Sequence, residues 1–301
     1  MKSFYLRHRL ISFFNDFDIK GIRKLSHFLP QILIPRPKAA LKMKTIYGFY
    51  LIIDPVKDSG VERSIYFTGT YEKGTLYIIK NILNKGDTFV DVGANIGLIS
   101  VFASKVVGSS GKVIAFEPNP NTLKLLKKNI ELNKCTNIIT SDHAIGNANK
   151  RAKIYDRWDS NRGSATLIKP ETSTDSYDIK ISTLSDALSD NQKIDLIKLD
   201  IEGYELEALK GAENIFNRDT PPALIIECSD IRDNDLSKNR NDVYDHIKKL
   251  DKYRIYRTIS DKGRVSKLIE MRSKTDLLSN DNIYCFTDKH LDKIPEKIFK
   301  K

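Results

Sequence analysis

The sequence predicts an α/β fold built on a mostly parallel sheet. From Gly74 onward, short apolar runs alternate with longer amphipathic segments, which is the rhythm of strands joined by helical crossovers. The run TFVDV at 88–92 passes directly into a glycine-rich turn, GANIG at 93–97, that opens a helix. The length, 301 residues, suits one large domain with appendages.

The elements follow in order. Residues 1–44 form a basic arm, and the proline-rich piece PQILIPRP at 30–37 reads as a linker. A strand is predicted at 45–53, followed by an irregular lead-in as far as Gly74. The buried strand 88–92 leads to a helix over 96–107 with Asn95 as its N-cap. After strand 112–117, Asn119 caps a helix with Pro120 at its first position and Leu123, Leu126 and Ile130 on one face. A strand near 137–140 precedes the polar stretch 147–183, read as an inserted hairpin or active-site loop. Strand 194–200, a helix over 204–210 closed by Gly211, and strand 223–227 resume the sheet. A solvated loop at 229–242, a helix near 240–250 and strands at 253–256 and 282–286 complete it. The main domain thus spans 45–288, with a ligand-binding half at 75–146, and a basic tail occupies 289–301.

Charge placement narrows the function classes. The net charge is +11, but residues 1–44 hold ten Lys/Arg against two Asp, and residues 287–301 hold five Lys against three acids. The stretch 45–286 is therefore near neutral, unlike the basic working face of a nucleic-acid enzyme. No apolar run in the first forty residues approaches the ~20 needed to span a bilayer, and none reads as a secretory signal. The expected location is cytoplasmic. The arm is either a helical extension packed on the domain or a basic amphipathic surface for anionic lipid at the inner membrane face. Cys135, Cys228 and Cys285 share no metal-ligand spacing and read as free thiols in a reducing compartment.

The turn at 91–97 carries chemistry. A helix N-terminus offers N–H donors and partial positive charge to a carboxylate such as that of a methionine moiety. Gly93 and Gly97 would let the backbone approach the ligand, and Asp91 could accept from its ammonium group. Glu117, ending the next strand, sits where doubly wound folds hold ribose hydroxyls. The cofactor expected is S-adenosylmethionine. A dinucleotide site would want G-x-G-x-x-G and would be repelled by Asp91.

These residues resemble a known family. DVGANIG, AFEPNP at 115–120, IKLDIEGYE at 197–205, LKGA at 209–212 and IIE at 225–227, preceded by GTYEKG at 69–74, are similar to the FkbM-type methyltransferases over roughly 48–230. The resemblance implies a Rossmann-like class I methyltransferase fold: a seven-stranded, mostly parallel sheet with helices on both faces and a reversed last strand. It also implies O-methylation of a hydroxyl on a sugar, glycan or natural product. Ala94 and Asn95 in the turn and Pro118 after Glu117 are expected in the cofactor site as well. Within SDHAIG at 141–146, Asp142, His143 or Ala144 would contact adenine. In TLSDAL at 183–188, Ser185 stands where relatives often carry an acid.

A hydroxyl acceptor needs a base nearby. Asp200, Glu202 and Glu227 follow sheet strands at the edge where ligands bind, and any of them could serve; Asp200 could also contact the cofactor. Helix capping and a solvated surface acid are the plainer roles for Asp200 and Glu202. His143 and His246 are alternative bases. A divalent cation on Asp200 and Glu202 lacks an evident third ligand, so no metal is expected. Glu72 could close over the cofactor and Tyr71 over the acceptor, or both could simply pack. Asn161 and Ser164 could contact the acceptor or form a turn on Gly163. The rival classes are an RNA methyltransferase and a non-catalytic cofactor- or membrane-binding module of the same fold. The acidic turn after Leu199 disfavours the former, and the retained Asp91 and Glu117 the latter.

Overall fold

A computed structural model describes residues 2–15, 29–30, 32–156, 167, 175–189, 191–228, 240–278 and 280–300. The chain opens with helix α1 (Lys2–Asn15) and a hairpin of β1 (Leu41–Lys44) and β2 (Tyr50–Ile53), followed by α2 (Val61–Thr68) and α3 (Lys73–Ile82). The first βαβ unit is β3 (Thr88–Val92), α4 (Leu98–Val107) and β4 (Lys112–Phe116), and α5 (Pro120–Leu132) then leads to β5 (Ile138–Ser141). Strands β6 (Ala144–Ile145), β7 (Lys150–Tyr155) and β8 (Ser176–Ser182) form a small separate sheet, with β7 and β8 antiparallel. The chain continues through α6 (Leu184–Ala187), β9 (Leu196–Leu199), α7 (Glu205–Lys210), α8 (Glu213–Phe216) and β10 (Ala223–Cys228). It closes with α9 (Arg240–Lys249), β11 (Arg254–Thr258), β12 (Leu268–Glu270), β13 (Asp281–Phe286) and α10 (Asp288–Leu291).

The main sheet has the order β12-β11-β13-β10-β9-β3-β4-β5. Strands β5, β4, β3, β9 and β10 are parallel, while β13 runs antiparallel between β10 and β11. The α/β class and the reversed last strand are as the sequence predicts, but the sheet has eight strands rather than seven. The extra strand, β12, is three residues long, too short to show a period of two.

Every residue of β9 and β10 is buried, the mark of a sheet covered on both faces. Alternate residues serve opposite faces. Phe89, Leu196 and Ile225 join a core with α3, α4 and the arm residues Ile11 and Ile34. Val90, Ile197 and Leu224 join another with α7, α8 and α9.

Several boundaries differ from the prediction. Residues 45–53 are not one strand: the chain reverses at Gly48 (φ +92°), and only the second half pairs, as β2. The lead-in to Gly74 contains a regular helix, α2, that buries Ile65 and Tyr66. Helix α4 begins at Leu98 behind Gly97, and Asn95 is no N-cap; it sits in the left-handed region at φ +48°. Asn119 does cap α5, its Oδ1 accepting from Asn121 N at 3.0 Å and Thr122 N at 3.3 Å. Gly211 ends α7 at φ −77°, so it is not a left-handed cap. It is glycine because a Cβ there would stand 2.0 Å from Gly146 O. Residues 240–242 belong to α9 rather than to the preceding loop, and 229–239 lie outside the described residues. The three cysteines are free, with Cys228 and Cys285 buried.

Candidate active site

The carboxyl ends of β3, β4, β9 and β10 open onto one crevice of about 240 Å³, roofed by Tyr71 and by Ile154 and Leu167 of the small-sheet region. Parallel strands bring their following turns to one edge, so the acids after them converge there.

Asp91 lies in β3 and is 1% exposed. Its Oδ2 accepts from Ser100 Oγ, while Oδ1 is buried with no partner among the described residues. Burial pushes its carboxyl up to about 6, against the pull of Lys198. Glu117 follows β4. It is held by two backbone donors, Asn95 N to Oε2 and Asn119 N to Oε1, both at 2.9 Å. Burial raises it to about 7 despite those donors. Both acids line the crevice, along with Gly93, Ala94, Asn95, Pro118, His143 and Ala144.

The turn between β3 and α4 works differently from the sequence reading. Gly93 N and Ala94 N both donate to Phe116 O, at 3.0 and 2.9 Å, so these amides are engaged in the sheet edge. A Cβ on Gly93 would lie 1.9 Å from Asp200 O, so this glycine serves the approach of two chains rather than of a ligand. Gly97 is likewise packed under Leu126 and does not line the crevice. The donors left to an anion are first-turn N–H groups of α4, at Leu98 and Ile99, which lack intrahelical acceptors and border the crevice.

A second group of acids surrounds the far wall. Glu72, Asp200 and Glu227 bring carboxylate oxygens within 4.8 Å of one another. The sequence pairing of Asp200 with Glu202 is therefore corrected: a carboxylate triad exists, but Glu72 and Glu227 complete it. Glu202 lies at the turn (φ +51°), on the crevice lining but outside the triad. Two lysines answer the charge. Lys198 Nζ is 2.5 Å from Asp200 Oδ2, and Lys262 Nζ is 3.0 Å from Glu72 Oε1 and in contact with Glu227 Oε1.

Burial works against an ionised Asp200, but Lys198 and Lys262 outweigh it and hold the carboxylate below its usual range. Glu227 shifts the other way. Burial, then the neighbouring Asp200 charge, pushes its carboxyl well up. The two hydrogen-bonded carboxyls are therefore shifted in opposite directions, Glu227 toward its protonated form and Asp200 toward its ionised form. Burial would lower the Lys198 ammonium, yet Asp200, Glu72 and Asp91 raise it. Glu205 fixes the turn itself, its Oε1 accepting from Ile201 N at 3.0 Å and Gly203 N at 3.1 Å.

Besides Gly97, three candidates fall outside the lining. Glu72 is buried off the lining, its Oε2 accepting from Asn282 Nδ2 at 3.2 Å and its Oε1 paired with Lys262. Asp142, just past the end of β5, lines a neighbouring groove with Lys124 and Lys127, its side chain 75% exposed. His246 sits on α9, away from the crevice. His143 remains on the lining, its Nδ1 2.8 Å from Ser182 Oγ. Asn161 and Ser164 lie outside the described residues. Sequence reasoning missed Lys198 and Lys262. A single lysine inside the otherwise apolar LIKL was the available signal for the first, whereas nothing local marks the second.

A doubly wound sheet with a reversed strand and an acid-lined crevice beyond a D-x-G turn is the construction of S-adenosylmethionine-dependent methyltransferase domains. The model of the Methyltransferase FkbM domain matches residues 91–257, more than half of the chain, and the chain belongs to that family. Among curated relatives, Methyltransferase sdnD of Sordaria araneosa is 28% identical over 155 residues, 41% of this chain and 60% of that protein. Methyltransferase 1 of Beauveria bassiana is 25% identical over 152 residues, 42% of this chain and 59% of that protein. The chain thus covers about three-fifths of the length of these relatives. Among solved structures, a SAM-dependent methyltransferase from Aquifex aeolicus shares 16% identity at a TM-score of 0.40, over 71% of this chain and 88% of that one.

Proposed function

We propose that this chain transfers the methyl group of S-adenosylmethionine to a hydroxyl of a sugar, glycan or natural product. The observation that carries the reading is Asp91 Oδ1, a buried carboxylate oxygen with no partner among the described residues, in the same crevice as Glu117. Such an atom is costly unless a ligand completes it. An ammonium group meets that need, and the spare lone pairs of Glu117 suit two ribose hydroxyls. The first turn of α4 supplies N–H groups for a carboxylate. Tyr71, Pro118, His143 and Ala144 would flank the nucleoside or the acceptor.

Bound there, the cofactor supplies an electrophilic methyl group on a sulfonium, with a neutral thioether as leaving group. The protein has to align the acceptor oxygen and take one proton. Asp200 is the carboxylate kept ionised for that task, by Lys198 and Lys262. Glu227, protonated, donates to Asp200 and fixes its orientation, and Glu202 borders the acceptor side. Alignment is worth up to ~7–11 kcal/mol in such a displacement.

The deciding experiment is calorimetric titration with S-adenosylmethionine, repeated on Glu117→Ala. Saturable binding that weakens at least about tenfold in the variant fits the loss of a charged hydrogen-bond acceptor. Absence of binding to the wild type would overturn the proposal.

A further inference from the structure

We propose that the outward face of α1 is a docking surface for an anionic lipid bilayer. Helix α1 has two apolar faces. Ile11 and His8 are fully buried against the domain, His8 Nε2 lying 2.8 Å from Tyr66 O. Leu6, Leu10 and Phe13 are 68%, 46% and 57% exposed. At about 100° per residue, these three fall within roughly 60° of one another and nearly opposite Ile11 and His8. Packing on the domain thus explains one face, while the other presents Leu6, Leu10 and Phe13 as an exposed stripe, with Phe13 edge-on to Phe14 at 5.7 Å.

The flanking charge identifies the occupant. Arg7 and Arg9, both exposed, border the stripe on its two sides. Arg7 is braced by donating to Leu33 O at 2.9 Å, which carries Ile32, 74% exposed, alongside. The arm's ten basic residues against two acidic ones favour an anionic surface. They also oppose a second copy of the chain, whose equally positive arm would meet this one. Among the described residues no helix is long and apolar enough to cross a membrane. The geometry is that of a helix lying in the interface plane, apolar side down, with arginines at the headgroups.

The arm is also tied to the site. On its inward face, Ser12 Oγ accepts from Lys73 Nζ at 2.7 Å, and Lys73 follows Glu72 of the carboxylate triad.

The test is co-sedimentation of the full chain with phosphatidylcholine vesicles, with and without phosphatidylglycerol. The wild type is expected to partition to the anionic vesicles in a salt-sensitive manner. The triple substitution Leu6→Gln, Leu10→Gln, Phe13→Gln should weaken partitioning by about tenfold or more, since three apolar side chains no longer leave water. The variant's thermal melt and its S-adenosylmethionine titration should match the wild type, which separates this question from that of methyl transfer. A second variant, Leu10→Trp, should show blue-shifted emission only with anionic vesicles. Unchanged partitioning of the triple variant, or no blue shift, would overturn the proposal. So would a dimer in sedimentation velocity that the triple variant dissolves.

Discussion

Lys262 Nζ joins Glu72 and Glu227, two acids that are 155 residues apart in the chain. Lys262 comes from the loop between β11 and β12, beyond the stretch that matches the family model. Its carbonyl accepts from Gly74 N at 3.0 Å, so the same residue closes the start of α3 and neutralises the triad. Removing one partner of a buried pair leaves uncompensated charge, so Lys262→Met should cost about 3–5 kcal/mol of stability. It should also raise the pKa of Asp200, whose carboxylate Lys262 helps to hold ionised, moving the acid limb of kcat/KM to higher pH. A variant whose acid limb coincides with that of the wild type would show that the lysine is only a strut.

The raised carboxyls of Asp91, at about 6, and Glu117, at about 7, couple cofactor binding to protons. Each holds its proton in the folded protein at pH values where an unfolded chain has lost it. Their contribution to stability is therefore greatest below the ordinary carboxyl range and declines as pH rises toward 7. An ammonium group beside Asp91 reverses this by favouring the ionised form. Binding of S-adenosylmethionine should thus release protons between about pH 5 and 7, with affinity rising across that window. Calorimetry in buffers of different ionisation enthalpy reads the release directly. Glu117→Gln should reduce it, and no release near pH 6 would rule out the coupling.

Asp200 and Glu227 are hydrogen-bonded and shifted in opposite directions, so that Asp200 favours the ionised form and Glu227 the protonated one. Replacing a protonated carboxyl by an amide preserves shape and donor, so Glu227→Gln should keep turnover within about tenfold of the wild type. Asp200→Asn removes the proton acceptor and should cost about 10²–10⁴ in kcat, with cofactor binding retained. Full turnover in Asp200→Asn would transfer the base role elsewhere, with His143 the next candidate on the lining.

Much of the parallel sheet was legible because its strands are apolar runs with both faces buried, and because Asn119-Pro120 is an unambiguous helix start. Asp91, Glu117, Asp200 and Glu227 were legible for the related reason that strand ends converge on one edge. What escaped depends on contacts distant in sequence. Lys262 and Glu72 meet only once β13 is inserted beside β10. Gly93 and Gly211 look like ligand-clearing and left-handed glycines, yet each is set by a carbonyl from another segment. Helix α2 escaped because its eight residues are too few to establish a period.

The triad of Glu72, Asp200 and Glu227 has the composition of a hard-cation site, but Lys198 and Lys262 occupy its oxygens. A divalent ion would have to displace at least one ammonium group and still find further oxygen ligands. Turnover should therefore survive exhaustive chelation and gain nothing from added magnesium or manganese. Loss of activity on chelation, restored by one of these ions, would reassign the triad to metal binding.

Three glycines separate strain from collision. Gly48 has φ +92° with nothing within 4 Å of a built Cβ, so alanine there meets only backbone strain, about 1–2 kcal/mol. Gly211 has an ordinary φ of −77°, but its Cβ would lie 2.0 Å from Gly146 O, and the chain at Gly146 must move. Gly93 combines both, with φ +85° and a Cβ 1.9 Å from Asp200 O. If strain and collision add, Gly93→Ala should be the most destabilising of the three, by more than about 3 kcal/mol, with Gly211→Ala between it and Gly48→Ala. Denaturant melts of the three variants give the order. Because the displaced carbonyl is that of Asp200, Gly93→Ala should also disturb the carboxylate–lysine pairing and lower turnover. Gly48→Ala, at a residue that does not line the crevice, should leave kcat unchanged. A Gly93→Ala protein as stable as Gly48→Ala would mean that the β3 and β9 turns do not press together as this geometry requires.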